Sequence, residues 1–229
     1  MIKWPTKAHR QHGFSLIELA IALIVIGLMA SSMLRSNTGL RQADDEKRVE
    51  RQLAQAIDTL YGHAIANGRL PCPAAPTLPD STANAGTEDC SLKHGVLPWI
   101  TLGLTQTDPW GQRLSYYAHE SFSAPLPTDA RASFQLESKG NATIKPASTV
   151  STKLADTLPA VVLSHGANGE GGYRPDGTRV AAVAGDEAEN ADADLTFISR
   201  PPGPDFDDRI DWIVPGVLMS RMLSAGRLP

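Results

Sequence analysis

Three groups of side chains in this chain are of types that do chemistry. The first is a lone carboxylate, Glu18, inside the 21-residue apolar run FSLIELAIALIVIGLMASSML from Phe14 to Leu34. A charge at mid-bilayer costs roughly 2.5–3.5 kcal/mol on insertion scales, so a carboxylate kept in such a run is a functional residue by default. The second is a pair of thiols, Cys72 and Cys90, on either side of a Pro/Thr/Ser/Asn-rich stretch. The third is an acidic series, Asp186, Glu187, Glu189, Asp192 and Asp194, with a later set at Asp205, Asp207, Asp208 and Asp211. Hard oxygen ligands clustered on a flexible segment suit Ca²⁺; a solvated acidic loop is the plainer reading.

Other residues decline the chemistry they first suggest. The apolar run Leu158–Ser164 reads as a strand and leads into His165-Gly166-Ala167-Asn168-Gly169-Glu170-Gly171-Gly172. A phosphate-binding loop would need a Lys-Ser/Thr and a helix pattern next, and neither follows. His165 has no Gly-x-Ser-x-Gly nucleophile motif to serve, and the six histidines contain no HExxH. A net charge of −4, a pI near 5.8 and 6% aromatic residues give no basic, aromatic-lined surface for nucleic acid. Two cysteines cannot make a disulfide-rich scaffold or a four-thiolate zinc site.

The elements that must position these groups begin with the N-terminus. Residues 1–13 carry Lys3, Lys7 and Arg10 and no acid. As a helix, Phe14–Leu34 would span about 31 Å, the hydrocarbon thickness of a bilayer. The positive flank keeps the N-terminal side cytoplasmic and places everything after Arg35 outside. A cleavable secretory signal cut near Ala30-Ser31-Ser32 is the rival reading. Against it stand the length of the run and Glu18 within it.

Beyond Leu34 the helix is expected to run on to about Ala66. Val49, Leu53, Ala56, Ile57, Leu60, Tyr61, Ala64 and Ile65 recur at three- and four-residue spacing, one apolar stripe of an amphipathic helix. Asp44 through Arg51 read as a solvated face with i,i+4 pairs. Asn67-Gly68 and Pro71 supply the stop. No proline lies between Phe14 and Leu70, which leaves Gly27 and Gly39 as the weak points. The remainder is punctuated by Pro and Gly, a β-rich or irregular pattern. Asp108-Pro109-Trp110-Gly111 is a tight turn, Leu114, Tyr116 and Ala118 alternate as the strand leaving it, and Trp99 and Trp110 are core or turn anchors. Ile210, Trp212, Ile213 and Val214 make a closing strand, with a short helix or tail after it. In an oxidising compartment Cys72 and Cys90 are expected to pair, and closing that loop contributes on the order of 3 kcal/mol.

Gly13-Phe14-Ser15-Leu16-Ile17-Glu18-Leu19, followed by an unbroken apolar helix, resembles the prepilin-peptidase site of type IV pilins and type II secretion pseudopilins. The resemblance implies cleavage after Gly13 and N-methylation of Phe14. It implies that Phe14 and Glu18 act in assembly, the α-amino group of one subunit compensating the carboxylate of its neighbour, since a buried charge is tolerable only when paired. The DPWG turn with its strand resembles major pseudopilins, and so does the order of strand, Gly-Ala-Asn-Gly, acidic stretch and Asp211-Trp212. In that family a calcium ion orders the acidic loop, for which Asp192 and Asp194 are the best two ligands here; the insertion Tyr173 to Ala191 is a departure.

The expectation is therefore an α+β, pilin-like fold: one long N-terminal helix, part membrane and part amphipathic, packed on a small antiparallel sheet with irregular loops. Its spans are a basic leader (1–13), a transmembrane half-helix (14–34), an amphipathic continuation (35–68) and an exported β-rich domain (69–229). The function implied is structural, not enzymatic: a subunit, minor in kind, of a type IV pilus or type II secretion-like filament in the inner membrane. Its partners would be prepilin peptidase, other pilin or pseudopilin subunits, the assembly platform and membrane lipid, with no nucleic acid. No cofactor is required, and Ca²⁺ is the one ion suggested. The rival of another class is a signal-anchored periplasmic enzyme or ligand-binding protein.

Overall fold

The computed structural model describes residues 15–181 and 184–228, and within the first helix only the backbone of residues 30–40. In chain order the elements are α1 (Leu16–Asn67), β1 (His94–Val96), α2 (Trp99–Leu102), β2 (Ser115–Ala118), α3 (Glu120–Ser123) and β3 (Ala142–Lys145). Then come β4 (Ala155–Leu158), β5 (Ala160–Ser164), α4 (Asp186–Ala191), β6 (Thr196–Ile198), β7 (Arg209–Trp212) and α5 (Pro215–Ser224). The chain divides into two compact units, residues 1–44 and 45–229.

In the first unit α1 passes through Gly27 and Gly39 without a break, as expected of a segment free of proline. Its described apolar side chains, Leu16, Ile17, Leu19, Ile21, Leu23 and Ile24 among them, are exposed. Among the described residues no helix is long and apolar enough to cross a membrane.

In the second unit the stripe of α1 is buried: Val49, Leu53, Ala56, Leu60, Tyr61 and Ala64 all lie in one core, and Ile65 packs at its edge. Asp44, Lys47, Arg48, Glu50 and Arg51 are exposed, with Arg48 paired to Asp45 at 3.2 Å. The helix ends where the Gly68 N–H donates to the Ala64 carbonyl at 2.8 Å. Gly68 holds φ +72°, and a Cβ there would sit 2.3 Å from the Arg131 carbonyl oxygen, so glycine is the residue that fits.

The first sheet is antiparallel throughout, in the order β1-β2-β5-β7, with Tyr116 opposite Val162 and Val162 opposite Asp211. Successive residues face opposite ways. Tyr116 and Val162 join the helix core with Ile213, Leu218 and Met222, whereas Tyr117 and Val161 join a second core with Ile144, Leu158 and Phe197. β5 therefore has both faces covered, and this is why Ala160-Val161-Val162-Leu163 is a continuous apolar run rather than an alternating one. The covering layer on the second face is another sheet, β4-β3-β6, in which β3 and β6 run parallel. The architecture is α+β as expected, but with two sheets instead of one and a parallel pair in the second.

The C-terminal segment is a helix, not a tail. Pro215 sits in its first turn, and Leu218, Met219 and Met222 face the core. The Arg221 guanidinium lies 4.3 Å over the Tyr61 ring, the Val214 N–H donates to the Tyr61 hydroxyl at 3.0 Å, and Arg227 donates to the Ile65 and Ala66 carbonyls of α1.

Candidate functional site

The Asp108–Gly111 turn orders the region that carries the acidic residues. Asp108 Oδ1 accepts from the Trp110 and Gln112 N–H groups at 3.0 and 2.9 Å, and Oδ2 accepts from Ser164 Oγ at 2.6 Å. Burial pushes the Asp108 carboxyl up, against the pull of these bonds. The turn thereby holds the end of β5, from which the loop His165–Gly172 departs.

Three segments converge past that loop. α4 presents Glu187 and Asn190 one turn apart, toward Asp207-Asp208 at the entry to β7. Asp207 Oδ2 accepts from the Ala167 and Asn168 N–H groups at 2.9 and 3.0 Å. Glu187 accepts from the Asp207 N–H at 2.7 Å and from Asn168 Nδ2 at 2.9 Å. Asn190 Nδ2 donates to Asp208 Oδ2 at 2.7 Å, while its Oδ1 accepts from the Ile198 N–H of β6. One carboxylate oxygen from each of Glu187, Asp207 and Asp208 lies within 4.8 Å of the others. Glu187 and Asp208 are buried, at 4% and 2% exposure. Burial, reinforced by Glu187, Asp207 and Glu170 and opposed by Asn190, drives the Asp208 carboxyl to about 8; burial likewise raises Glu187.

His165 lines a cavity of about 160 Å³ together with Ser115, Tyr117, His94, Phe197 and Asn190. Its Nε2 lies 2.8 Å from Ser115 Oγ, but Nδ1 is 4.0 Å from Asp208 Oδ1, too far for a hydrogen bond. Burial first, and then the Arg179 cation, lower its pKa to about 4, against a backbone bond at Glu170. With no hydrogen bond from Nδ1 to the carboxylate, Asp208 does not orient the imidazole as the aspartate of a Ser-His-Asp triad would.

Asp192 and Asp194 are not part of the carboxylate cluster, although Asp192 lines the cavity. Both are exposed; Asp192 Oδ1 accepts from the Asp194 N–H at 3.0 Å and Asp194 Oδ1 from the Thr196 N–H at 2.6 Å, so the pair shapes the turn from α4 into β6. Asp186 is held by Ser148 and Arg200. The residues brought together, Glu187, Asp207 and Asp208, were visible in sequence only as members of two acidic runs. The one sequence signal that marks the second pair is its place directly before the closing strand.

Cys72 and Cys90 are joined as a disulfide closing the loop between them. The Arg69 guanidinium donates to both Glu88 oxygens at 2.8 and 2.7 Å, and Glu88 also accepts from the Cys72 N–H. Arg113, fully buried, donates to the carbonyls of Pro76, Leu78 and Pro175 and stacks 4.7 Å from the Trp99 ring, tying the disulfide loop to the segment after Tyr173. Trp99 is a buried anchor, as expected.

At the other end of the chain, Glu18 lies exposed in the first turn of α1, the end of a helix where a carboxylate is favoured. Gly13 and Phe14 lie outside the described residues. Residues 8–34 match the prokaryotic N-terminal methylation motif, the prepilin-type signal of type IV pilins and pseudopilins. No curated protein and no solved structure matches the chain.

Proposed function

We propose that this chain, which carries a prepilin-type N-terminus, is a structural subunit of a membrane-anchored filament of the type IV pilus or type II secretion kind. It is made with a leader of residues 1–13, cut by prepilin peptidase between Gly13 and Phe14, and N-methylated on Phe14. Residues 14–34 hold it in the inner membrane until an assembly platform extracts it. There Glu18 meets the α-amino group of a neighbouring subunit, and the globular part faces the periplasm or the filament surface. Removing the leader takes away three cations and brings the formal charge from −4 to −7. The elaborated loops, with their disulfide and inserted α4, favour a minor subunit over the bulk one.

The observation that carries this reading is the methylation motif at 8–34 running directly into α1, whose later turns form the core of an α+β unit. A signal anchor needs neither the Gly13-Phe14 junction nor Glu18. The test is intact mass and N-terminal sequencing of the protein from cells with and without prepilin peptidase. The expected result is a chain beginning at N-methyl-Phe14 only when the peptidase is present. A chain beginning at Met1 in both, or cut near Ala30–Ser32, would overturn the reading.

A further inference from the structure

We propose that the cavity beside His165 is a binding site for a single neutral, hydroxyl-bearing six-membered ring, the chemistry of a pyranose sugar. The inference does not rest on the filament reading. The walls belong to this chain in particular, since Tyr173, Arg179 and Asn190 come from the stretch Tyr173 to Ala191 that departs from the pseudopilin pattern.

The floor of the cavity is one face of the first sheet. His94, Tyr117 and Val161 stand opposite one another across β1, β2 and β5, and Ser115 stands opposite Leu163 on the same face. The His94 and Tyr117 ring centroids are 4.7 Å apart, and Phe197 of β6 lies 6.2 Å from Tyr117, so this part of the wall is aromatic. Tyr173 and Arg179 form another part, with the guanidinium 5.4 Å from the centre of the ring and its Nε donating to the Gly171 carbonyl at 3.0 Å. The turn Ala191-Asp192-Ala193 supplies the rest. Arg179, Asp192 and Ala193 are exposed and mark the mouth.

Size and chemistry narrow the occupant. A cavity of about 150 Å³ takes up benzene, so one of about 160 Å³ holds a single six-membered ring and little more. The charged groups on its wall are one cation, Arg179, and one anion, Asp192, while burial holds His94 and His165 below the ordinary imidazole range and therefore neutral. A lining so balanced favours neither an anion nor a cation. A wholly apolar ring would strand polar groups. Ser115 Oγ, 2.8 Å from His165 Nε2, has a further hydrogen bond to make whichever of the two atoms donates. Asp192 has committed only Oδ1, to the Asp194 N–H. A pyranose meets both demands: its hydroxyls donate to the carboxylate and pair with Ser115, and its positively polarised C–H face packs against the aromatic wall.

The test uses the full-length chain in a detergent without a sugar headgroup. The probes are D-glucose, D-galactose, D-mannose and N-acetyl-D-glucosamine, with D-sorbitol as an open-chain polyol and phenol as a ring without the polyol. Saturation-transfer difference NMR, titrated in each probe, reads Kd. A site this small makes few contacts, so at least one of the four pyranoses should bind with a Kd in the millimolar range. Sorbitol and phenol should each bind at least 10-fold more weakly than that sugar. Asp192→Ala and His94→Ala, neither at a fully buried position, should each weaken it at least 5-fold, while Asp156→Ala, an exposed acid on β4, should leave it within twofold. Should His94→Ala fail to fold, Ser115→Ala is read in its place, with the same expected loss. No binding by any of the four sugars, sorbitol or phenol matching the best of them, or an unchanged Kd in Asp192→Ala, overturns the site.

Discussion

Ser164 Oγ donates to Asp108 Oδ2 at 2.6 Å across a sequence separation of 56, with both residues buried. The carboxylate that closes the Asp-Pro-Trp-Gly turn is thus also the anchor for the last residue of the central strand. Ser164→Ala leaves that oxygen without its hydroxyl donor in a dry site and should cost about 1–3 kcal/mol of unfolding free energy. Asp108→Ala, which also abandons the Trp110 and Gln112 N–H groups, should cost more. Urea unfolding followed by tryptophan fluorescence measures both.

Glu88 supplies an acid dependence. Burial raises its carboxyl, but the Arg69 guanidinium and the Cys72 N–H outweigh it and hold the folded-state value below the ordinary 4.5. A depressed carboxyl contributes stability that is fully present above its unfolded value and is lost as pH falls through the folded value. Below about pH 4.5 wild type should therefore lose stability more steeply than Glu88→Gln, the gap between the two curves narrowing as pH falls through the folded-state value. Denaturant midpoints at intervals from pH 6 to pH 3 test this.

The disulfide encloses the same loop, with a sequence separation of 18. Replacing both cysteines by serine should cost on the order of 3 kcal/mol. Because Arg69 and Glu88 bridge the loop beside it, Glu88→Gln should be more damaging in the Cys72→Ser/Cys90→Ser background than in wild type. A double-mutant cycle in thermal unfolding reads the coupling.

Gly86 lies at φ +73°, and a Cβ on it would fall 2.2 Å from the Trp99 ring. That ring cannot give way easily, since Arg113 stacks on it and is itself pinned by three carbonyls. Gly86→Ala should cost upwards of about 2 kcal/mol and shift the fluorescence of Trp99. As a contrast on the same helix, Ile100→Ala, at 60% exposure, should stay within about 0.5 kcal/mol of wild type.

What could be read from residues alone follows how local the signal is. The buried stripe of α1 from Val49 to Ala64 is a 3.6-residue periodicity sustained over several turns, and the tight turn at Asp108 rests on four adjacent residues. Both are visible without knowing what they touch. The second sheet is not: Ala142–Lys145, Ala155–Leu158 and Thr196–Ile198 are three- and four-residue strands in Ser-, Thr- and Lys-rich surroundings, too short for alternation to register. α4 hid for a related reason, since Asp-Glu-Ala-Glu-Asn-Ala looks like solvated loop until Asn190 and Glu187 are seen facing inward. Asp207 and Asp208 meet Glu187 only because β7 docks beside β5, a long-range pairing that no window of sequence contains.

The docking of α5 onto α1 bears on the order in which the molecule can be made. The Tyr61 hydroxyl waits for a partner 153 residues downstream, and the last carbonyls of α1 wait for Arg227. Leu218 and Met222 complete the core that the helix opened. Contacts so distant in sequence are slow to form, and none can form before α5 has been synthesised. Until then the apolar stripe from Val49 to Ala64 is a nascent, sticky surface.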